Sequence, residues 1–328
     1  DRNNHMINLL KYISIIFLVS SCGGGSSSSG ISDNSTPDPI ANSYQEQCTS
    51  TSWNSALLRC DLTHNNLERY YFLYKPASLN TTNNVPVLFA LHGYGSSARN
   101  HFSYTNYEDI ADENNFIIVY PQGSPMKTYL ASSSSHWNVG GWTIGSTVDD
   151  VSFINNIIDL IILKLPIDQN RIYSSGMSNG GYMSYLLSCQ EDSRIAAIAS
   201  VTGSMTPETF ASCNPNHPTA VMQIHGSFDN TVPYNGLSWS KSIPDIISYW
   251  SEFNSCSAEP NIVISDYFNS GYSITTESYK DCLNDIDVRL ILHSTMGHTW
   301  PTLNSHNINA SEEIWNFVSL FDIDGLIK

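Results

Sequence analysis

Short, wholly apolar runs alternate with amphipathic stretches along most of this chain. Val85 to Leu91 (VPVLFAL) and Phe116 to Tyr120 (FIIVY) are brief and apolar throughout, so each predicts a strand buried on both faces. Leu67 to Tyr74 (LERYYFLY) predicts an aromatic-rich strand before them, closed by Lys75-Pro76. One helix is expected around Tyr104 to Asn114. A clearer one follows, where Val151, Ile154, Ile157, Ile158, Ile161, Ile162 and Leu165 recur on one face. Asp149 and Asp150 suit its positive end and Pro166 stops it. Ile195 to Val201, Ala220 to Ile224 and Val288 to Leu292 predict further strands, and Ile262–Tyr267 with Tyr272–Ser278 a hairpin. Helices are expected over Pro244 to Phe253 and Glu312 to Phe321. This alternation predicts an α/β fold, a doubly wound, mostly parallel sheet with helices on both faces. Ligands of such sheets bind beyond the carboxyl ends of the strands.

One stretch concentrates the chemistry. Arg171 to Leu187 (RIYSSGMSNGGYMSYLL) passes from a strand pattern through Gly176-Met177-Ser178-Asn179-Gly180 into a helix pattern. Gly-x-Ser-x-Gly between strand and helix is the layout of a nucleophile elbow. The glycines allow a turn so tight that side chains at those positions would collide, and Ser178 is left exposed above the helix amino terminus. The alternative is a glycine turn that happens to hold a serine. A serine hydroxyl needs a base, itself held by an acid, and in this fold class the order along the chain is serine, acid, histidine.

Two later loops meet that requirement. His225-Gly226-Ser227-Phe228-Asp229-Asn230 follows a predicted strand and offers Asp229 as the acid, in preference to Asp245, Asp266 and Asp287, which are expected on helix or hairpin surfaces. Gly297-His298-Thr299-Trp300-Pro301 follows the last strand and offers His298 as the base, whereas His92 and His225 read as structural loop residues. An oxyanion hole needs backbone N–H donors near the serine. Asn179 supplies one, and the loop His92-Gly93-Tyr94-Gly95 the other, with Tyr94 the candidate and Gly95 its rival. Met177, Tyr94, Trp142 and Trp300 flank these groups and suggest an aromatic substrate cleft; the alternative for the tryptophans is core or rim packing.

Composition narrows the setting. With 14 basic and 30 acidic side chains the net charge is −16, and no basic patch is available for nucleic acid. Asp1 to His5 precede Met6 and read as extraneous, while residues 6–22 (MINLLKYISIIFLVSSC) read as a secretory signal peptide. Its ending, Val19-Ser20-Ser21-Cys22, resembles a bacterial lipobox in which Cys22 is lipidated; the alternative is ordinary cleavage with Cys22 incidental. Residues 23–45 then read as a flexible Gly/Ser-rich tether, and 46–328 as the catalytic domain. Six cysteines remain and allow fifteen pairings. Joining neighbours gives the simplest set, Cys48–Cys60, Cys189–Cys213 and Cys256–Cys282, as an oxidising compartment favours. No ligand spacing for a structural metal is present, and none is expected.

The elbow SSGMSNGGYM, the loop LHGYG, and the stretches HGSFDNTVPY and GHTWP together resemble the polyhydroxybutyrate depolymerase-like and feruloyl esterase branch of the α/β-hydrolases. The resemblance runs from about Arg69 to Phe321 and includes Trp137-Asn138 and Val148-Asp149-Asp150-Val151. It implies the α/β-hydrolase fold, Ser178, Asp229 and His298 as a triad, and the bridges 189–213 and 256–282. It also implies a serine esterase without cofactor, exported if the leader reads correctly, acting on feruloyl or acetyl esters of polysaccharide, or on polyester or hydroxyalkanoate esters. A serine peptidase of the same fold, or a non-catalytic surface-binding lipoprotein, stand as alternatives. A monomer is expected, held to the outer membrane or cell surface only through Cys22, or otherwise periplasmic or secreted.

Overall fold

In the computed structural model, which describes residues 46–127, 133–190, 192–267 and 271–328, the apolar runs become the middle of one sheet. The expected leader, the lipobox with Cys22 and the tether lie outside the described residues. Strands β1 (Gln47–Ser50), β2 (Leu57–His64) and β3 (Leu67–Tyr74) form an antiparallel start. They are followed by β4 (Val85–Leu91), helices α1 (Ala98–Thr105) and α2 (Tyr107–Asn114), β5 (Ile117–Pro121), and the small ribbon β6 (Ser124–Lys127) and β7 (Ser133–His136). Then come α3 (Asp150–Lys164), β8 (Ile167–Met177), α4 (Asn179–Ser188), β9 (Ala197–Val201), α5 (Pro207–Ser212), β10 (Ala220–Gly226) and α6 (Ile243–Phe253). The hairpin β11 (Asn261–Tyr267) and β12 (Tyr272–Tyr279), β13 (Val288–His293), α7 (Leu303–His306), α8 (Ala310–Val318) and a closing ribbon β14 (Phe321–Asp322) and β15 (Gly325–Leu326) complete the chain.

The main sheet runs β1-β2-β3-β5-β4-β8-β9-β10-β13-β12-β11. Its middle, β5 to β13, is parallel, and antiparallel strands extend both edges. Period-two alternation sends neighbouring residues of one strand to opposite faces. Val87, Phe89 and Leu91 of β4 therefore pack with α3, α4 and α6, through Ile154, Ile157, Met183, Ile246 and Trp250. Leu88 and Ala90 pack with α1, α2 and α8, through Phe102, Tyr107, Ala111, Ile314 and Phe317. This is the doubly wound α/β-hydrolase architecture expected from the sequence. After β4 the chain steps to β5 on one side and returns to β8 on the other, so the loops after β4 and β8 diverge and leave a crevice between them.

Some elements differ from expectation for local reasons. The helix expected over 104–114 is two, because Asn106 takes a left-handed conformation (φ 49°) that ends α1 and begins α2. Asp287, expected on a surface, is buried beside Lys280 and Arg289 at the amino end of β13, opposite the crevice. Disulfides join Cys48 to Cys60 across β1 and β2, Cys189 to Cys213, and Cys256 to Cys282.

Candidate active site

Ser178 stands between β8 and α4 with φ 54° and ψ −120°, a conformation costly for any residue but glycine. Packing around the turn enforces it. A Cβ on Gly176 would stand 2.3 Å from the Gly180 carbonyl carbon, and one on Gly180 would stand 2.1 Å from the Leu91 oxygen. Strand, turn and helix therefore approach as closely as backbone allows. Ser178 N–H donates to Val201 O of β9 at 2.8 Å, and its carbonyl accepts from Tyr182 N–H at 3.0 Å. The main chain is fixed on both sides while the side chain stays partly exposed.

The loop after β10 carries Asp229, whose side chain is inaccessible to solvent. Its Oδ1 accepts the N–H groups of Thr231 (2.9 Å) and Val232 (2.8 Å), and its Oδ2 accepts from Nδ1–H of His298 at 2.8 Å. Burial works to raise this carboxyl. The bonds from His298 and Val232, with the nearby imidazoles of His298 and His225, outweigh it and hold Asp229 below the ordinary aspartate value. With Nδ1–H committed to the carboxylate, Nε2 of the His298 ring is left as the acceptor. His225 behaves otherwise. It is buried, donates from Nε2 to Val232 O at 2.9 Å, accepts at Nδ1 from Gln223, and burial lowers its pKa to about 4. It is a neutral brace of the Asp229 loop.

The loop after β4 lies against the serine, since a methyl at Gly93 would stand 3.5 Å from the Ser178 Cβ. Gly95 N–H is engaged by Ser135 O at 2.7 Å, which removes it as an oxyanion donor. The N–H groups of Tyr94 and Asn179 have no acceptor among the described residues. Asn179 opens α4, where no intrahelical acceptor exists. Its side chain is locked to the Trp137 backbone in both directions, at 2.7 and 3.0 Å. Trp137 in turn donates from its indole to His92 O at 2.8 Å. His92 donates from Nδ1 to Gly93 O and accepts the Gly123 N–H at Nε2, and burial lowers its pKa to about 4. A neutral histidine thus shapes this loop.

Ser178, Thr231 and Val232 open on one pocket of about 350 Å3, with Tyr94, Trp142, Tyr182 and Trp239 as its aromatic walls. Trp142 meets Tyr94, Tyr182 and Trp239 edge-on, with centroids 5.7 to 6.3 Å apart. Of the four residues proposed for a cleft, Tyr94 and Trp142 line this pocket. Met177 and Trp300 do not: Trp300 is buried among His101, Tyr104 and Tyr107, and Met177 touches the Tyr104 hydroxyl. Sequence proximity misleads here because residues adjacent in a turn point to opposite sides of it. Trp239 and Tyr182 were not legible as pocket residues, since Trp239 lies outside every motif and Tyr182, though within the elbow stretch, sits on the helix beyond its turn.

A buried ion pair supports the Trp137 loop. Arg69 of β3 donates to Asp150 Oδ1 at 2.7 Å, with both side chains almost wholly buried, and Asp150 Oδ2 accepts the Asn138 N–H at 2.8 Å. Arg69 also lies over the Phe153 ring at 3.7 Å. Asp150 is therefore a long-range clamp as well as a first-turn acid. Asp150→Ala strands a buried guanidinium and is expected to cost about 3–5 kcal/mol of stability, read by denaturant titration. A loss below about 1 kcal/mol would contradict this account. The one grouping of metal-ligand side chains among the described residues, Glu46 with Cys48 and Cys60, has both sulfurs in a disulfide.

Residues 80–247, just over half of the 328, match the sequence model of the family described as Phospholipase/Carboxylesterase. The chain is 26% identical over 257 residues to a bifunctional acetylxylan esterase/xylanase of Neocallimastix patriciarum, covering 78% of this chain and 34% of that protein. It is 28% identical to feruloyl esterase B of Piromyces equi over 65% of this chain and 39% of that one. Feruloyl esterase D of Neurospora crassa is 26% identical, covering 79% and 84% respectively. The chain thus spans well under half the length of the first two relatives. In fold it is similar to an acetyl xylan esterase from Aspergillus awamori, with TM-score 0.51, 16% identity, and coverage of 82% of this chain and 99% of that structure. By this match the chain belongs to the phospholipase/carboxylesterase family, and its sheet is that of the α/β-hydrolases.

Proposed function

We propose that this protein is an exported serine esterase that hydrolyses carboxylic esters through an acyl-enzyme. Ser178 Oγ attacks the ester carbonyl carbon while His298 Nε2 takes its proton. The tetrahedral oxyanion accepts from the N–H groups of Tyr94 and Asn179, and collapse releases the alcohol, protonated by His298. Water, activated by the same imidazole, then frees the acid and restores the serine. Asp229 holds the ring in the tautomer that leaves Nε2 free and stabilises its charged form. No cofactor takes part. One observation carries the reading: a strained serine and the loop that carries Asp229, itself bonded to His298, open on the same pocket, and the N–H groups of Tyr94 and Asn179 have no acceptor among the described residues.

Aromatic walls favour a flat or apolar acyl group beside the serine. A feruloyl or acetyl ester on a polysaccharide, a hydroxyalkanoate chain and an aromatic polyester unit all meet that description, and the named relatives favour the first. The test is labelling by a fluorophosphonate together with hydrolysis of ethyl ferulate, acetylated xylan, polyhydroxybutyrate film and an aromatic polyester. Absence of labelling would remove the esterase reading. Membrane attachment through Cys22 is a separate proposal. Cys22→Ser is expected to move the protein from the membrane to the soluble fraction, and unchanged retention would contradict lipidation.

A further inference from the structure

The loop that carries His298 is held at its two ends. Met296 O accepts the Phe228 N–H of the Asp229 loop at 3.0 Å, and Pro301 O accepts the Ala310 N–H of α8 at 3.2 Å. Between those anchors the one main-chain hydrogen bond among the described residues is local, from Thr299 N–H to Gly297 O at 3.1 Å. Two side chains supply the rest. His298 bonds Asp229, and Trp300 is buried while Gly297, His298 and Thr299 all keep some exposure. A single hydrogen bond leaves the imidazole able to pivot about it, so the course of the main chain beneath the ring depends on Trp300.

Trp300 sits in a box built by α1 and α2. Its ring meets those of His101, Tyr104 and Tyr107 edge-on or tilted, at centroid distances of 5.4, 5.9 and 6.1 Å. The box is tied to the nucleophile as well. His101 Nδ1 donates to the Tyr104 hydroxyl at 2.6 Å, which donates to Met177 Sδ at 3.6 Å, and Met177 directly precedes Ser178. The Tyr107 hydroxyl shares a hydrogen bond of 3.0 Å with Ser175 Oγ on the same strand, β8. Burial holds the His101 pKa well below the ordinary histidine value, so the box carries no charge at neutral pH. One buried group therefore touches both the strand end that presents Ser178 and the loop that presents His298.

We propose that Trp300 is a positioning residue: docked between His101, Tyr104 and Tyr107, it sets where the His298 ring stands relative to Ser178, without touching substrate. The inference rests on the esterase reading of that serine. Misplacing a reacting group by about 1 Å costs on the order of 100-fold in rate, so a loop tethered this sparsely needs such an anchor.

Trp300→Ala is accordingly expected to lower kcat on p-nitrophenyl acetate about 100-fold per folded molecule, with KM little changed. Trp300→Phe, whose ring still fills much of the box, should restore kcat to within about tenfold of wild type. A control separates placement from stability. Trp315 is buried against Phe116 and borders Val85 at the amino end of β4, at the opposite end of that strand from the loop beside Ser178. Trp315→Leu should lower the melting temperature and keep the wild-type kcat. The second readout is the Nδ1 proton of His298, which Asp229 accepts in the wild type. Its low-field NMR resonance should broaden in Trp300→Ala, return in Trp300→Phe and stay unchanged in Trp315→Leu. Should Trp300→Ala not fold, Trp300→Leu carries the same test, since leucine keeps apolar bulk and loses the flat ring. Wild-type kcat in the alanine or leucine variant of Trp300, an unaltered His298 resonance there, or an equal loss of kcat in Trp315→Leu would each overturn the placement. The resonance needs no turnover, so a wild type that shows it but hydrolyses no ester would overturn the esterase reading alone.

Discussion

Ser178→Ala is expected to lower kcat on p-nitrophenyl acetate by about 10^4-fold or more, with KM and thermal stability close to wild type. The oxygen removed is the atom proposed to form the acyl-enzyme, so no remaining group can take its place. The donors at Tyr94 and Asn179 survive and leave a residual rate above that in water. Stability should hold because the contacts of Ser178 to the fold are main-chain ones, to Val201 O and from Tyr182 N–H, which alanine keeps. Alanine is as poorly suited to φ 54° as serine, so the strain of the elbow is retained. Kinetics and a melting curve on one preparation decide it. A variant with wild-type turnover would remove Ser178, and the acyl-enzyme with it.

How much of this was readable beforehand depends on the range over which each feature is encoded. The elbow was legible because Gly176, Ser178 and Gly180 sit within five residues and each answers to a local clash. The parallel strands were legible because burial on both faces leaves continuous apolar runs such as VPVLFAL. By contrast β1 and β2 have mixed patterns (QCTS and LLRCDLTH), and only pairing, of β2 with β3 and of β1 with β2, makes them strands. Arg69 and Asp150 lie 81 residues apart and meet only through the fold, so Asp150 showed only its local role at a helix start. The pocket walls failed for a related reason. Trp239 reaches the pocket from outside the motifs and Tyr182 from the helix that follows the elbow, whereas Trp300, two residues from His298, turns into the core. Loop motifs announce chemistry, and side-chain direction is settled by packing.

Asp229→Asn tests whether the carboxylate acts through the imidazole. The asparagine is the same size, and its Oδ1 can still accept the N–H groups of Thr231 and Val232, so the loop should keep its shape. Its NH2, however, now faces His298 Nδ1 where the carboxylate had been. A donor there pairs with an unprotonated Nδ1, which moves the ring proton to Nε2 and removes the lone pair that the proposed mechanism requires to take the Ser178 proton. The kcat at neutral pH is then expected to fall on the order of 10^4-fold with KM little changed. Nitrogen NMR of His298 should report the switched tautomer, a signature that loss of packing alone would not produce. Stability gives an independent check with a definite sign. The wild-type carboxyl titrates below its unfolded value, so its contribution is fully present above that unfolded value and lost as pH falls through the folded one. Wild type should therefore lose its advantage over Asp229→Asn on acidification, and the two stabilities should converge. A variant with full activity, or one whose His298 keeps its proton on Nδ1, would show that Asp229 shapes the loop and does nothing for the base.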